Sequence, residues 1–488
     1  MMTSDEMERA RRASFNRRAF ILFGAQVGVA GAIGARLHQL QVVETEAYAT
    51  RAERNRVKTE PLAPPRGEIF DRTGLPLAVN RHNYGVWIVR ERAEDIETTM
   101  ARLERIIALS DREKRRLEKA FRTEPAFRPV PVKDNLDWAD FAQIEANAPG
   151  LAGVEPRVTW TRHYPERDAL AHVIGYVAAL TKEERARDRT NNPLLRVEGL
   201  MVGKNGVERS AERRLRGAAG VRKTERMAGG REVREIARDE GRRGENLTMS
   251  IDLGLQRYAM DRLTGESAAA VVMDVITGDL LAIASAPAYD PNLFVTGISH
   301  ADWNALRENE LDPLRNKALA GAYPPGSTYK MLTGLAALEH EVITPQTRIF
   351  CSGKIRVGNL TFHCWKRGGH GSMNFKTGLK HSCDVYYYEL AQRVGIDRLA
   401  ALSRNFGVGV KPELELPNLA AGNMPTKDWM FAMRGRRWSR GDTVNVGIGQ
   451  GALLMSPLQL AVMTARLANG KHQLSPRIVR GVNGEPEP

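Results

Sequence analysis

The chain has 488 residues, enough for about three domains at roughly 150 residues each, and its 42% hydrophobic and 27% charged content is ordinary for a globular protein. A mini-protein, a fibre and a fully disordered chain are excluded. Seventy-two Lys and Arg against 58 Asp and Glu leave a net charge of +14, which suits nucleic acid, an anionic membrane surface or a polyanionic substrate, but a 6% aromatic share supplies few stacking platforms for single strands.

The Arg-rich tail of residues 1–18 precedes seventeen uncharged residues, Ala19 to Ala35, between Arg18 and Arg36. This predicts a membrane anchor over 19–36 with a positive-inside flank, a little short for a hydrocarbon core of about 30 Å. The alternative is a cleaved signal peptide. An uncleaved anchor is preferred because no clear small-x-small cleavage site follows and Leu37, Leu40 and Val43 continue an amphipathic helix. Either way the rest of the chain lies outside the cytoplasm. Gly24, Gly28, Gly31 and Ala35 put small residues on successive turns, a surface that admits another membrane helix.

Residues 37–245 read as one mixed domain. Pro64 to Gly74 leading into Leu77-Ala78-Val79-Asn80 reads as strand, turn, strand. A helical insertion at about 90–175 includes a capping box at Ser110-Asp111-Arg112-Glu113 that opens a charged helix to about Phe121. Residues 203–244 mix both signs of charge between glycines and read as a solvated face. From Asn246 onward the pattern changes: a short strand, a helix from about Leu253, then two apolar runs, Ala268 to Met273 and Asp279 to Ala284, forming a buried hairpin. Helical patterns dominate after Ser327.

Pro324-Pro325-Gly326-Ser327-Thr328-Tyr329-Lys330 precedes an apolar helical pattern, so Ser327 falls in the first turn with Lys330 one turn on, on the same face. A neutral amine there can take the hydroxyl proton, and the helix N-terminus favours the oxyanion formed by attack. His381-Ser382-Cys383-Asp384 then supplies a second hydroxyl and a carboxylate, a pairing that relays a proton or, taken alone, caps a helix.

The order of these motifs resembles the class B penicillin-binding proteins, serine acyltransferases of the bacterial cell wall, and their elongation-type members in particular. The resemblance rests on Arg66 to Gly74, Gly203 to Gly217, Thr248 to Gln256, Asp274 with Thr277 and Gly278, Tyr289 to Asn292, Ser327 with Lys330, and Gly447 to Gly451 with Pro457 and Gln459. It implies an α+β, multidomain fold: a single N-terminal transmembrane helix, an elongated mixed pedestal over 37–245, and a penicillin-recognising serine transpeptidase domain over 246–488 with an antiparallel sheet flanked by helices. It also implies Ser327 as acylated nucleophile, Lys330 as general base, Ser382 as proton shuttle and Asp384 as the third member. The superfamily at large carries Asn in place of Asp384; the acid is an elongation-type feature, and its charge favours a protonated Lys330. Lys376-Thr377-Gly378 matches the family's third motif but falls in a segment patterned as loop and helix, so it is set aside. The genuine strand is expected downstream of Gly470, which makes the transpeptidase domain C-terminally incomplete at Pro488; the function expected is that of the family's complete protein, and loss of this strand is expected to lower or abolish it.

Cys351, Cys364, His370 and Cys383 offer three thiols and an imidazole, a donor set for structural zinc; His363 or His381 could replace His370. One disulfide with a free thiol, or three buried thiols, are the other readings. Certain elongation-type relatives resemble this chain in holding a metal at this place. The chemistry itself needs no cofactor. The leading reading is a D,D-transpeptidase of the cytoplasmic membrane, with the bulk of the chain periplasmic, that cross-links peptidoglycan stem peptides during lateral elongation and is acylated by β-lactams. Its expected partners are a SEDS-type, RodA-like membrane glycosyltransferase and elongation-complex proteins, with no nucleic acid. The alternatives are a division-type transpeptidase and a non-catalytic scaffold that activates a glycosyltransferase.

Overall fold

A computed structural model describes residues 23–39, 57–190, 192–197, 199–226 and 232–486. The predicted cytoplasmic tail, residues 19–22 of the predicted anchor, and Leu40 and Val43 lie outside the described residues. Residues 23–38 are helical, and no helix among the described residues is long and apolar enough to cross a membrane.

The chain divides into two compact units. In the smaller one, the strand Val57–Leu62 pairs antiparallel with Gly220–Arg226, which pairs in turn with Glu232–Asp239. Cross-strand ion pairs such as Arg222 with Glu60 (3.1 Å) cover this charged sheet. The second unit holds residues 63–219 and 241–488.

Its main sheet begins with β1 (Ile69–Phe70) and β2 (Pro76–Ile88), joined by a tight turn. The buried Asp71 makes that turn: Oδ1 accepts from the N–H of Thr73 (2.7 Å) and of Leu75 (2.8 Å), and Gly74 supplies the φ of +94°. Next come β3 (Val130–Leu136), β4 (Val154–His163) and β5 (Leu247–Met249). The hydrogen-bonded order runs from the strand Val479–Val482 through β5, β1 and β2 to β3, with β4 also on β2; only the β5–β1 pairing is parallel. Chain segments more than four hundred residues apart in sequence thus share one sheet, and Ile69, Leu77, Leu247 and Met249 from it join Ile251, Leu280 and Ile283 in a single core.

The insertion expected to be helical is mixed. Helices Ile96–Leu103, Asp111–Thr123 and Trp138–Ala146 are present, the second with the predicted Ser110–Glu113 capping box, but β3 and β4 run between and after them. In β3 the apolar residues recur every second position (Val130, Val132, Leu136), the period of a half-buried strand. The solvated-face reading of 203–244 also needs correction at its start. Glu208 is fully buried: Arg66 Nε reaches one carboxylate oxygen at 2.7 Å, Arg162 Nε the other at 2.7 Å, and Tyr164 donates its hydroxyl at 3.2 Å. Burial opposes ionisation of Glu208, and the charges of Arg162 and Arg66 more than offset it, so its pKa is lowered.

Candidate active site

Ser327 lies in a single 3₁₀ turn, Gly326–Tyr329, that feeds α1 (Lys330–Glu339). Gly326 (φ +58°) and Gly449 (φ +73°) let two backbone segments touch there: Gly326 N–H donates to Gly449 O at 2.9 Å, and a Cβ on Gly449 would lie 2.1 Å from Gly326 O. This is the physical content of the Gly447 to Gly451 run. Lys330 starts α1 and is 1% exposed, whereas Ser327 is open to solvent.

The second hydroxyl comes from Ser382, the residue between helix Phe375–Lys380 and Cys383, which caps α2 (Asp384–Val394). Ser382 has φ +47°, a strained backbone for a residue with a Cβ. The four sequence-predicted residues meet. Lys330 Nζ donates to Asp384 Oδ1 (2.6 Å), Ser382 Oγ (2.9 Å) and Ser382 O (2.9 Å), and Ser382 Oγ lies 2.9 Å from Ser327 Oγ. The direct Lys330–Ser327 contact expected from one helical turn is not made. The amine is drawn instead to the loop of Ser382 and Asp384, where all three of its hydrogen bonds lie, so the lysine reaches the nucleophile through Ser382.

All three N–H bonds of a Lys330 ammonium are therefore used, as a desolvated cation requires. Asp384 divides its charge: Oδ1 faces Lys330, while Oδ2 accepts the backbone N–H of Trp365 at 2.9 Å. Trp365 was not singled out from the sequence. Its indole N–H also holds His381 O (3.1 Å), and 65% of the side chain is exposed at the edge of the site. Thr333 was missed as well; its hydroxyl donates to Gly447 O at 2.7 Å and ties α1 to the glycine run. Lys376-Thr377-Gly378 is helical. Thr377 closes a capping box with Asn374, and Gly378 sits under the Tyr386 ring, where a Cβ would lie 2.9 Å from the ring edge.

Behind the Ser382 loop the ligand atoms of Cys351, Cys364, His370 and Cys383 all lie within 4.8 Å of one another. Two short hairpins bring them together, Ile349–Cys351 with Gly371–Met373 and Lys354–Val357 with Leu360–His363. His370 Nδ1 stands 3.7 Å from Cys351 Sγ and 3.5 Å from Cys364 Sγ, close to the edges of about 3.5–3.8 Å expected in a tetrahedral zinc shell. The three cysteines are free and buried; burial and the neighbouring thiols push the Cys383 thiol up. Three crowded thiols and the His370 Nδ1 among them are a donor set that fits a divalent cation. Neither His363 nor His381 belongs to this group.

Residues 268–487 match the penicillin binding protein transpeptidase domain, and residues 61–249 the penicillin-binding protein dimerisation domain. The peptidoglycan D,D-transpeptidase MrdA of Haemophilus influenzae is 35% identical over 480 residues, 98% of this chain and 74% of that protein. The penicillin-binding protein PBP2 of Helicobacter pylori, solved in complex with MreC, superposes with a TM-score of 0.78 at 30% identity, covering 89% of this chain and 80% of that one. A chain from a peptidoglycan synthase complex that coordinates polymerization and crosslinking gives 0.70 at 31% identity, covering 97% and 80%. The chain belongs to the class B penicillin-binding proteins. Within them it stands close to the MrdA, or PBP2, peptidoglycan D,D-transpeptidases, serine acyl-transfer enzymes; the division-type and scaffold alternatives gain no support.

Proposed function

We propose that Ser327 is the residue acylated in this transpeptidase. Its Oγ attacks the carbonyl of the penultimate residue of a D-Ala-D-Ala stem, the amide bond breaks, and D-Ala leaves with a proton. The amine of a neighbouring stem then takes the acyl group, and Ser327 regains its proton. The observation that carries this reading is the line Ser327 Oγ, Ser382 Oγ, Lys330 Nζ with both steps at 2.9 Å. With Lys330 neutral, the same heavy-atom line passes a proton from Ser327 through Ser382 to the amine; returned along it, the proton reaches the leaving group. Asp384 stabilises the ammonium that results through Oδ1, while its other oxygen accepts the Trp365 N–H.

The chain acts in lateral elongation as a single-pass protein of the cytoplasmic membrane, anchored near residues 19–36 with its bulk in the periplasm. The sequence of that segment, the small residues on it, and the relatives' assemblies with MreC and in a synthase complex support membrane partners that include a glycosyltransferase of the SEDS type. Cys351, Cys364, His370 and Cys383 would hold a structural zinc ion, which supplies crosslinking rather than chemistry and fixes Cys383, the residue between Ser382 and Asp384. Fluorescent penicillin tests the acylation: the protein is labelled and Ser327→Ala is not. Labelling that survives the substitution contradicts the assignment.

A further inference from the structure

The helix α3 (Lys427–Arg434) and the turn into α4 (Arg440–Gly447) carry Arg434-Gly435-Arg436-Arg437-Trp438-Ser439-Arg440, with arginine at four of seven positions. One of the four works as a fastener. Arg436 grips Asp442 through two bonds of 2.8 Å, and Asp442 also accepts from Ser439 N (2.8 Å) and Ser439 Oγ (2.7 Å). Trp438 donates its indole N–H to Thr443 Oγ1 at 2.8 Å and packs on the core that holds Tyr329. Gly435, at φ +64°, ends α3 cleanly.

The other three arginines are left over. Arg434, Arg437 and Arg440 are exposed, and their guanidinium groups have no hydrogen-bond or ion-pair partner among the described residues. Phe431 and Met433, 68% and 65% exposed, stand on the same helix. A turn fastened at Arg436 and Trp438 thus presents three free guanidinium groups beside apolar side chains, a surface suited to an anion.

Its place relates it to the reaction. The helix α4 packs on α2, which begins at Asp384, and its far end meets the nucleophile turn through Thr333 and Gly449. At about 1.5 Å per residue, Arg440 lies about 10 Å along the axis from Gly447. At the start of α4, Gly441 abuts the hairpin that runs into Cys364 and Trp365; a Cβ there would lie 3.2 Å from Phe362 Cζ. The four residues of a stem that remain on Ser327 span at most about 14 Å when extended, more than the roughly 10 Å rise of α4, so the stem has the length to run toward this turn.

We propose that Arg434, Arg437 and Arg440 bind the carboxylate groups of a peptidoglycan stem and so hold an anionic strand beside Ser327. This rests on the transpeptidase reading and adds a substrate subsite to it. Planar guanidinium forks match carboxylates, and such an exposed site weakens with salt as screening shortens to about 8 Å at physiological ionic strength.

The test uses the full chain in detergent, uncross-linked peptidoglycan strands with intact stems, and the triple variant Arg434→Gln, Arg437→Gln, Arg440→Gln. The variant should lose strand affinity by about tenfold more than it loses rate of penicillin labelling, and the wild type should lose a similar factor when the stem carboxylates are amidated. Wild-type strand affinity in the variant, or indifference to amidation, would overturn the proposal. So would equally tight binding to anionic phospholipid vesicles free of peptidoglycan, which would assign the arginines to lipid. Penicillin labelling of the wild type is read separately, so failure of the acylation assignment is distinguished from failure of the subsite.

Discussion

Two of the places where this protein buries ionised groups do so differently. Around Glu208 every charge faces its opposite: two arginines take the two carboxylate oxygens, Arg66 also pairs with Glu212 at 2.8 Å, and none of these side chains is more than 18% exposed. Around Lys330 the cation is equally buried, but its chain of partners ends at an exposed hydroxyl, and Ser382 is held at a positive φ to complete it. A closed network braces one core shared by the N-terminal strands and the Leu280 hairpin; an open one stores a proton path. Buried charge by itself does not mark a catalytic site. An accessible terminus does.

That contrast is sharpest under mutation. Lys330→Ala should slow acylation by the folded protein at least about 10³-fold, an effect on rate that exceeds its cost in stability, as measured by stopped-flow labelling and calorimetry. Glu208→Gln should do the reverse. Stranding Arg66 and Arg162 beside a neutral amide should cost about 3–5 kcal/mol in denaturant unfolding, and the folded fraction should acylate at close to the wild-type rate. If Glu208→Gln slowed acylation as much as Lys330→Ala does, the two networks would not be separable.

Smaller effects refine the open side of the comparison. Gly449→Ala should cost about 1–3 kcal/mol, because the residue sits at φ +73° against Gly326 O; relaxation should move the nucleophile turn and slow labelling. Stripping metal with a chelator should lower the melting temperature by about 5 °C, with zinc recovered by metal analysis, and Cys364→Ser should be insensitive to the chelator. The smallest effect concerns the arginine turn. Arg436 holds Asp442 down at about 2, so this pair stabilises the fold above the ordinary carboxylate range and ceases to do so as pH falls through 2. With Arg436 half exposed, Asp442→Asn should cost about 1 kcal/mol or less at pH 7 and nothing near pH 2.

Much of the site was legible because its elements are local. A Pro-Pro-Gly stop before Ser327, a hydroxyl before a helix at Asp384 and a capping box at Ser110 each declare themselves within a few residues. What stayed hidden depends on partners far along the chain. Glu208 looks like one charge among many until Arg66 and Arg162, 142 and 46 residues away, close on it. Trp365 acts on Asp384 through its backbone N–H, to which its side chain gives no clue. The β3 strand was missed because three charged or polar residues dilute its alternation, and Lys330's path through Ser382 depends on a loop 52 residues further along the chain.

The central claim is that one exposed hydroxyl, at the end of the Lys330 chain, takes the acyl group. Mass spectrometry of the protein treated with penicillin and digested tests it directly. The account predicts a single penicilloyl adduct on the peptide that contains Ser327, fragmenting to that residue and absent from Ser327→Ala. An adduct on Ser382, or on a residue outside this site, would contradict it.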